Sequence, residues 1–341
     1  MTAIRLADLR SAEDCAAIDA FLSDHPDATP FHRRQWIWAV AKGCGQERHY
    51  LIAGDPVCGL VPLNELHSPL FGRALVSSGF AVGGGILADD FETADALAEA
   101  VWKLAARLSC PTVELRGGIL PPGWQHDTTT YLGFSRDLAG DEEAELLAIP
   151  RKQRAEVRKA LGNELTVDIG DRDAHYAVYA ESVRNLGTPV FPKTMFSAVL
   201  DAFGDDADIL TVRQNGVPLA SVLSLYHRGV VMPYWGGGTA AARPARANDM
   251  MYFALMGHAR NRGCTRFDFG RSKTGTGAAA FKRNWGFEGV PLCYAKRTVD
   301  GQAAREINPL DPRYSLQVKL WSKLSLSIAN RIGPMISRGL G

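Results

Sequence analysis

The sequence predicts an α/β protein of two tandem lobes, each a mixed β-sheet flanked by helices. Three observations support this fold class. The length of 341 residues suits two lobes of ordinary size. Hydrophobic residues make up 46% of the chain, which is enough to form a packed core. One order of predicted helices and strands also occurs twice, which indicates an internal duplication.

The repeated elements begin at two Thr-Pro pairs, each followed by a predicted amphipathic helix. Two strands joined by a tight turn come next, at Gly54-Asp55 in one copy and at Asn215-Gly216 in the other. Each copy then contains a glycine triplet predicted in a strand, a helix followed by a cysteine and a short closing strand. The matching residues keep a nearly constant separation: Thr29 and Thr188, Gly84 and Gly237, Cys110 and Cys264. This regularity favours duplication over the general similarity of α/β segments.

The repeat predicts an N-terminal lobe over residues 1–145 and a C-terminal lobe over residues 166–300. A basic helical linker over 146–165 joins them, and Pro150 is expected to divide it into two helical pieces. The remaining residues, 301–341, are predicted to form a tail with an amphipathic helix.

Composition limits the classes of function. A formal net charge of +1 gives no global field for nucleic acid or membranes, so DNA is not an expected partner. The six cysteines include no CxxC pair, and the histidines form no HxxxH cluster, so neither a metal site nor a compact disulfide framework is predicted. The sequence shows no apolar signal core and no apolar run of membrane-spanning length. These features predict a cytoplasmic protein.

The segment with the strongest chemical signal is Arg266 to Phe287, RFDFGRSKTGTGAAAFKRNWGF. A predicted buried strand ends at Gly270, and a glycine-rich loop with several cations follows. Glycines let the backbone approach a ligand closely, and exposed amides beside cations bind phosphate or carboxylate. From the residues alone, a solvated surface loop is an equal alternative. The first copy has no such loop, so the active groove is predicted on the second lobe, walled by the first.

The string FDFGRSKTGTGAAAFKRNWGFE, with YWGGGT and the basic segment IPRKQRAEVRKAL, resembles the FemAB-like branch of the GNAT superfamily. With LGTPVFPKTMF and WSKLSLSIANRIGP, the nearest resemblance is to FemAB-like proteins associated with exosortase/PEP-CTERM polysaccharide systems. It extends to about Lys296 and implies two GNAT-like lobes. It also implies transfer of an amino acid from aminoacyl-tRNA to an amine of a peptidoglycan precursor. The Phe-Lys pair at that family's reaction centre matches Phe281-Lys282.

Three residues are therefore candidates for catalysis. Lys282 is expected to stabilise the oxyanion that forms when an amine attacks the acyl carbonyl, although phosphate binding or a surface salt bridge would also suit it. Because its loop is expected to be exposed, replacing Lys282 with alanine should abolish turnover with little effect on stability. Asp268 points opposite to Phe267 and Phe269 and would orient the amine or act as a base; alternatively, it pairs with Arg266 or caps a loop. Phe281 is included because it belongs to the Phe-Lys pair.

The candidates for substrate binding fall into four groups. They are Arg271, Ser272 and Lys273 in the glycine loop, Tyr234 and Trp235 beside the second glycine triplet, Arg154 and Arg158 in the linker, and Arg243 and Arg246 before a predicted helix. The aromatic pair would line the groove or belong to the core. The linker arginines would contact a phosphorylated or nucleotide-bearing substrate, or form a solvated helix face.

The last group, Arg243 and Arg246, indicates which acyl donor the protein would use. Acyl-CoA enzymes of the superfamily hold pyrophosphate on a (Q/R)xxGx(G/A) turn at a helix N-terminus. Here Arg246 occupies the position of the central glycine, so CoA binding in the usual manner is not expected, although an anion would still be attracted. The long coiled-coil arm of some FemAB-like proteins is absent, which weakens the case for a tRNA donor.

These features predict an aminoacyl or acyl transferase that forms an amide on an amine of a cell-envelope precursor of peptidoglycan or exopolysaccharide. No permanently bound cofactor is expected; the donor would be aminoacyl-tRNA, acyl-CoA or an acyl carrier, and the acceptor a small-molecule or lipid-linked precursor. One alternative is an N-acyltransferase that acts on an amino sugar with acyl-CoA or an acyl carrier. Another is a non-catalytic scaffold in polysaccharide assembly.

The tail contains an apolar stripe at helical spacing, formed by Leu320, Trp321, Leu324 and Ile328, with Lys319, Lys323 and Arg331 largely on the other side. The favoured interpretation is that this stripe packs on the protein's own core. The alternative is a weak contact with the inner face of the membrane, because a basic amphipathic helix with a tryptophan at its apolar edge can lie in the interface.

Overall fold

The computed structural model of the chain describes residues 2–302 and 315–341. The first half of the chain follows the order of elements that the repeat predicts. Its helices and strands are β1 (Ile4–Leu6), α1 (Ala12–Asp24), α2 (Arg34–Cys44), β2 (Glu47–Ala53), β3 (Gly59–Ser68), β4 (Gly72–Ser77), β5 (Leu87–Ala88), α3 (Phe91–Arg107), β6 (Thr112–Arg116), β7 (Gln125–Asp127) and β8 (Tyr131–Asp137).

Two helices form the linker, α4 (Glu142–Ala148) and α5 (Arg151–Leu161). Pro150 stands between them and begins α5, as the sequence predicts. Proline suits the start of a helix because it lacks the amide hydrogen that an interior position would need. The side chain of Asp141 caps α4 by accepting a hydrogen bond from the amide of Ala144.

The second half of the chain repeats the order of the first. Its elements are β9 (Leu165–Ile169), α6 (Arg172–Asn185), α7 (Lys193–Phe203), β10 (Ala207–Gln214), β11 (Val217–His227), β12 (Val230–Gly238), α8 (Ala242–Ala245), α9 (Ala247–Asn261), β13 (Arg266–Lys273), α10 (Gly277–Asn284), β14 (Gly289–Pro291) and β15 (Tyr294–Thr298). The tail contains α11 (Ser315–Trp321) and α12 (Leu326–Ser337).

The two copies differ at the glycine triplet. In the second copy Gly236–Gly238 ends strand β12, as predicted. In the first copy Gly83–Gly85 lies in the loop between β4 and β5, which corrects the prediction of a strand there. A Cβ atom added to Gly85 would lie 1.8 Å from the carbonyl oxygen of Gly117. This loop therefore crosses the end of β6 at a distance that only glycine permits.

The strands form two sheets that exchange one strand each. The first sheet has the order β1-β2-β3-β4-β6-β15-β7, with β5 paired to β3, and the second has the order β14-β8-β13-β12-β11-β10-β9. Strand β15 of the second half therefore lies between β6 and β7, and β8 of the first half lies between β13 and β14. Because of this exchange, the predicted lobe boundaries, 1–145 and 166–300, do not coincide with the two sheets.

Helices α2 and α7, which are equivalent in the repeat, pack against each other between the sheets. A Cβ atom on Gly43 would lie 2.4 Å from the Cα atom of Met195, so glycine allows the two helix backbones to approach closely. The surrounding core draws on both lobes and includes the stacked rings of Trp36 and Trp235. Helices α3 and α9 cover the outer faces of the first and second sheets.

The tail docks on the body of the protein with a face that the sequence did not indicate. Helix α12 buries the small residues Ala329, Gly333 and Ser337. Leu320 and Ile328 are exposed, which contradicts the prediction that their stripe packs on the core, whereas Trp321 and Leu324 are half-buried. The part of the predicted tail over residues 303–314 lies outside the described residues. Within the described ranges, no helix is both long and apolar enough to cross a membrane.

Candidate active site between the lobes

A cavity of about 470 Å³ opens where strands β12 and β13 separate. The two strands run parallel and pair only at Val230 with Arg266 and Val231 with Phe267. Beyond these pairs they diverge, and residues 232–236 and 268–271 line opposite sides of the gap. The first lobe closes the cavity with Thr29, Phe31, Phe80, Val82 and Gly83. The cavity therefore lies on the second lobe and is walled by the first, where the sequence predicts the groove.

Lys282 lines this cavity from α10 and binds a bulge in β13. The register of β13 against β8 shifts between Asp268 and Arg271, and Gly270 has a φ of +65°. The ammonium of Lys282 donates hydrogen bonds to the carbonyl oxygens of Phe269 (2.7 Å), Gly270 (3.2 Å) and Arg271 (2.9 Å). It thus supplies a donor to each of three consecutive carbonyl groups at the bulge. These contacts contradict the expectation of an exposed loop cation whose loss would leave stability unchanged.

Opposing influences set the charge of Lys282. Burial lowers the pKa of the ammonium, the nearby carboxylate of Asp268 raises it and the guanidinium of Arg271 lowers it further, which leaves the pKa at about 8. The side chain is therefore mostly protonated at neutral pH and loses its proton as the pH rises through about 8.

Asp268 reaches the cavity from the start of the same bulge. Its carboxylate accepts a hydrogen bond of 2.8 Å from the amide of Gly270. Among the described residues it forms no ion pair, so the predicted alternative of a pair with Arg266 is wrong: Arg266 contacts Asp137 and Ser135 instead. Burial raises the pKa of Asp268, which makes it a better proton acceptor than an ordinary aspartate.

Arg271 supplies a second cation to the cavity. Its guanidinium lies 4.7 Å from the ring centroid of Tyr131 and donates a hydrogen bond of 3.0 Å to the hydroxyl of Tyr294. That hydroxyl donates in turn to the carbonyl oxygen of Val82 (2.7 Å) in the first lobe. No carboxylate of the described residues lies within ion-pair distance of Arg271. A fixed, half-buried guanidinium of this kind is suited to hold an anionic group of a substrate.

The predicted aromatic pair belongs to the cavity wall and to the core at once. Tyr234 and Trp235 both line the cavity. The hydroxyl of Tyr234 donates a hydrogen bond of 2.6 Å to the carbonyl oxygen of Phe80, which joins the lobes. The ring of Trp235 stacks on Trp36 at a centroid distance of 5.9 Å. Neither of the two predicted roles therefore excludes the other.

The remaining residues of the glycine loop do not line the cavity. Phe281 packs against Tyr252, with the ring centroids 5.6 Å apart, and so supports the cavity wall from behind. Ser272 is buried within β13. Lys273 ends that strand, with its ammonium 5.8 Å from the ring centroid of Tyr131.

The linker arginines also lie outside the cavity lining. The guanidinium of Arg154 donates hydrogen bonds to the carbonyl oxygens of Leu147 (2.7 Å) and Ile149 (3.1 Å) at the end of α4. It therefore caps a helix C-terminus, where carbonyl groups lack partners. Arg158 is exposed on the surface of α5.

The start of α9 departs from a pyrophosphate-binding turn. Arg246 adopts a left-handed conformation with a φ of 60°, which glycine would adopt without strain. Its guanidinium forms an ion pair of 2.6 Å with Glu156, which also pairs with Lys159. Arg243 is exposed and forms no ion pair within the described ranges. Among the described residues, the turn from Arg243 to Asn248 offers one cation without an ion pair and contains no glycine, which is a poor fit to the pyrophosphate of CoA in its usual position.

Several residues of the site were not found by sequence reasoning. Tyr131 and Tyr294 hold Arg271, and both lie on the exchanged strands β8 and β15. Phe31 and Phe80 line the cavity from the first lobe. The repeat offered one usable signal, because Phe31 follows the Thr-Pro pair that opens the first copy. The others depend on contacts between distant parts of the chain.

Residues 150–283 match the family model of the acetyltransferase (GNAT) domain. This segment runs from the linker to α10 and contains the diverging strands, Asp268 and Lys282. The match covers the second linker helix and most of the second lobe, and it supports an acyltransferase. No curated protein matches the sequence.

Solved structures share the two-lobed architecture. FemX superimposes with a TM-score of 0.68 at 16% identity, covering 84% of this chain and 96% of FemX. A tandem GNAT protein from the clavulanic acid biosynthesis pathway gives 0.57 at 12% identity, covering 88% of this chain and all (100%) of the other. L-PGS from Bacillus licheniformis gives 0.54 at 13% identity, covering 94% and 99%. At such identities the similarity establishes the fold, and it confirms the prediction of two tandem GNAT-like lobes.

Proposed function

We propose that the protein transfers an aminoacyl or other acyl group to an amine, and that the reaction takes place in the cavity between β12 and β13. One observation carries this proposal: the diverging strands of a GNAT domain bring an unpaired carboxylate, Asp268, and an ammonium, Lys282, into the same cavity. A base and a cation are two groups that accelerate amide formation from an activated ester.

In this mechanism the acceptor amine attacks the carbonyl carbon of the donor, and a C–N bond forms while the carbonyl oxygen becomes negative. Asp268 accepts a proton from the attacking nitrogen, and its raised pKa favours that transfer. The tetrahedral intermediate then collapses, and the bond to the leaving group breaks. The leaving hydroxyl or thiol receives the proton from Asp268, which restores the carboxylate.

Lys282 stabilises the negative oxygen of that intermediate. All three ammonium hydrogens are donated to backbone carbonyls of the bulge, so a direct bond to the oxyanion requires that one of these bonds be exchanged. The longest of the three, to Gly270 at 3.2 Å, is the one we expect to be released. Removing one such electrostatic contact from an active site reduces the rate by roughly 10²–10³.

The cavity walls indicate what the substrate presents. Phe31, Phe80, Tyr234 and Trp235 offer apolar and aromatic surface, and Arg271 offers a fixed positive charge. An acceptor with a phosphate or carboxylate near its amine fits this combination. Precursors of peptidoglycan or exopolysaccharide, free or lipid-linked, carry such groups, and we propose one of them as the acceptor. An association with exosortase/PEP-CTERM polysaccharide systems and a cytoplasmic location belong to the same proposal.

Aminoacyl-tRNA is our first choice of donor, because its ester already carries the energy for amide formation and the altered turn before α9 suits CoA poorly. Acyl-CoA or an acyl carrier is the second choice, and the match of residues 150–283 to the acetyltransferase domain favours it. In the second case the product would be an N-acylated amino sugar.

Mass spectrometry of ligands that co-purify with the native protein tests the acceptor. We expect an anionic molecule with a free amine. Incubation of the protein and this amine with aminoacyl-tRNA or with acyl-CoA then identifies the donor, since free tRNA or free thiol is released together with the amide. If no amide forms with either of these donors or with an acylated carrier protein, the molecule is a scaffold and the proposal is wrong.

A further inference from the structure

Helix α12 turns apolar side chains toward solvent. Ile328, Ile332 and Met335 are 48%, 40% and 67% exposed. Their spacing of three and four residues places them on one face of the helix. The opposite face carries the small buried residues that dock the helix on the body of the protein. The apolar stripe of this amphipathic helix therefore points outward, whereas in most globular proteins it points inward.

Helix α11 extends the same pattern. Leu316 and Leu320 are 65% and 58% exposed. Single exposed apolar side chains are common on protein surfaces, but five on two consecutive helices form a concentration that indicates a binding function. We name these five residues the tail surface: Leu316, Leu320, Ile328, Ile332 and Met335.

Positive charge accompanies the tail surface. Lys319, Lys323, Arg331 and Arg338 are exposed, and none of them forms an ion pair within the described ranges. The sequence from residue 315 to residue 341 contains no Asp or Glu. The tail surface therefore combines apolar side chains with nearby cations, and no acidic side chain within residues 315–341 offsets their charge.

Backbone contacts fix the tail in this orientation. Arg184 donates hydrogen bonds to the carbonyl oxygens of Ser322 (3.4 Å) and Leu324 (3.2 Å), between the two helices. The hydroxyl of Ser337 donates to the carbonyl oxygen of Val190 at 2.8 Å. A Cβ atom on Gly333 would lie 3.1 Å from the amide nitrogen of Val190. If α12 rotated to turn a larger side chain toward Val190, the helix would have to move away from the body of the protein. The apolar stripe is held outward by its own docking contacts.

We infer that the tail surface binds a lipid bilayer that contains anionic lipids. Its apolar side chains would enter the interface, and the four cations would lie beside the headgroups. A second copy of the chain is a poorer partner, because symmetric contact would oppose one set of four cations to another. The inference rests on the surface alone and holds whichever acyl donor the protein uses.

Flotation with vesicles tests this inference on the full chain. We expect the protein to float with phosphatidylcholine vesicles that contain phosphatidylglycerol at low salt, and to be released as salt rises. The triple variant Lys319→Gln/Lys323→Gln/Arg331→Gln should weaken binding roughly fivefold for each cation removed. Ile328→Ser/Ile332→Ser/Met335→Ser should weaken it by at least about tenfold, because apolar area is lost from the interface.

The matched control replaces exposed apolar residues elsewhere, as Leu70→Ser/Phe91→Ser/Val217→Ser; these are 69%, 81% and 59% exposed. It should bind like the unmodified protein, and thermal unfolding should show that each variant is folded. Any of three results would overturn the inference: equal binding to vesicles of phosphatidylcholine alone, no loss in the tail variants, or an equal loss in the control. A dimer that the apolar tail variant abolishes, without vesicle binding, would instead identify a second copy as the partner.

Discussion

The two copies of the repeat carry equivalent carboxylates with opposite surroundings. Glu114 on β6 and Asp268 on β13 occupy the same place in the repeat. Glu114 forms ion pairs with Arg116 (2.7 Å) and Lys296 (3.3 Å). Burial alone would raise its pKa, but these cations lower it to about 2. Asp268 has no such partner, and burial raises its pKa. One copy therefore holds a permanently ionised structural carboxylate, and the other a carboxylate able to accept a proton.

The exchanged strands account for this difference. Strand β15 places Lys296 opposite Glu114, whereas β8 places Ser135 opposite Asp268. The gap beyond β4 and β6 is also closed, because Arg116 donates to the carbonyl oxygens of Ala81 and Gly341, each at 3.0 Å. The equivalent gap beyond β12 and β13 forms the cavity. The duplication thus placed an equivalent gap in each copy; Arg116 on β6 closes the gap in the first copy, and the gap in the second copy stays open as the cavity.

Replacing Asp268 should test the comparison most severely. Asp268→Asn keeps an acceptor for the amide of Gly270 but cannot take a proton, so we expect the rate of amide formation to fall by roughly 10²–10⁴. Thermal stability should be unchanged or higher, since a buried charge without a partner is removed. Steady-state kinetics and a melting curve measure the two effects. Activity within about twofold of the unmodified protein would exclude Asp268 as the base.

Lys282→Met should reduce the rate by roughly 10²–10³ and also lower the melting temperature, because three backbone carbonyls lose their donor.

The unmodified enzyme should gain activity with rising pH as Asp268 ionises and lose it as pH rises through about 8, where Lys282 loses its proton. The conservative variant Lys282→Arg stays charged, so any activity it retains should lack this alkaline decline. An unchanged alkaline limb in Lys282→Arg would assign the decline to another group.

Glu114→Gln should affect stability instead of chemistry. The substitution leaves Arg116 and Lys296 without their ionised partner, and losing a hydrogen bond to a charged group costs about 1.5–3 kcal/mol. Chemical denaturation measures this loss. The activity per folded molecule should stay within about twofold of that of the unmodified protein, because Glu114 does not line the cavity. A rate loss as large as that of Asp268→Asn would show that both copies take part in catalysis.

The smallest effect is expected in the linker. Arg158→Gln should change KM for either donor by less than about twofold, since the side chain is exposed and outside the cavity lining. Arg154→Gln serves as its counterpart and should cost about 1 kcal/mol of stability through the lost cap of α4. An increase in KM of more than about tenfold for aminoacyl-tRNA in Arg158→Gln, with KM for acyl-CoA unchanged, would extend the donor site along α5.

Much of the site was predictable because its signals are local. The diverging strand, its glycine bulge and the helix with Lys282 lie within Arg266 to Phe287, and all three catalytic candidates come from that segment. The structure brings Lys282, Asp268, Arg271, Tyr234 and Trp235 to one cavity. It places Phe281 behind the wall, and Arg154 and Arg246 in contacts within the protein. Cationic side chains were the least predictable, because a charge in the sequence does not reveal which partner neutralises it.

The sequence by itself determined the order of helices and strands, the repeat, the break at Pro150 and the candidate segment, since these follow from hydrophobic period, turn residues and spacing along the chain. Only the tertiary structure decided which strands were exchanged, which of two equivalent carboxylates formed ion pairs and which face of α12 was exposed to solvent. Each of these depends on a contact between residues far apart in the chain: strand β15 with β6, Lys296 with Glu114, and Gly333 with Val190. Local patterns constrain the backbone, but the choice among distant partners is made by packing and charge once the lobes are assembled.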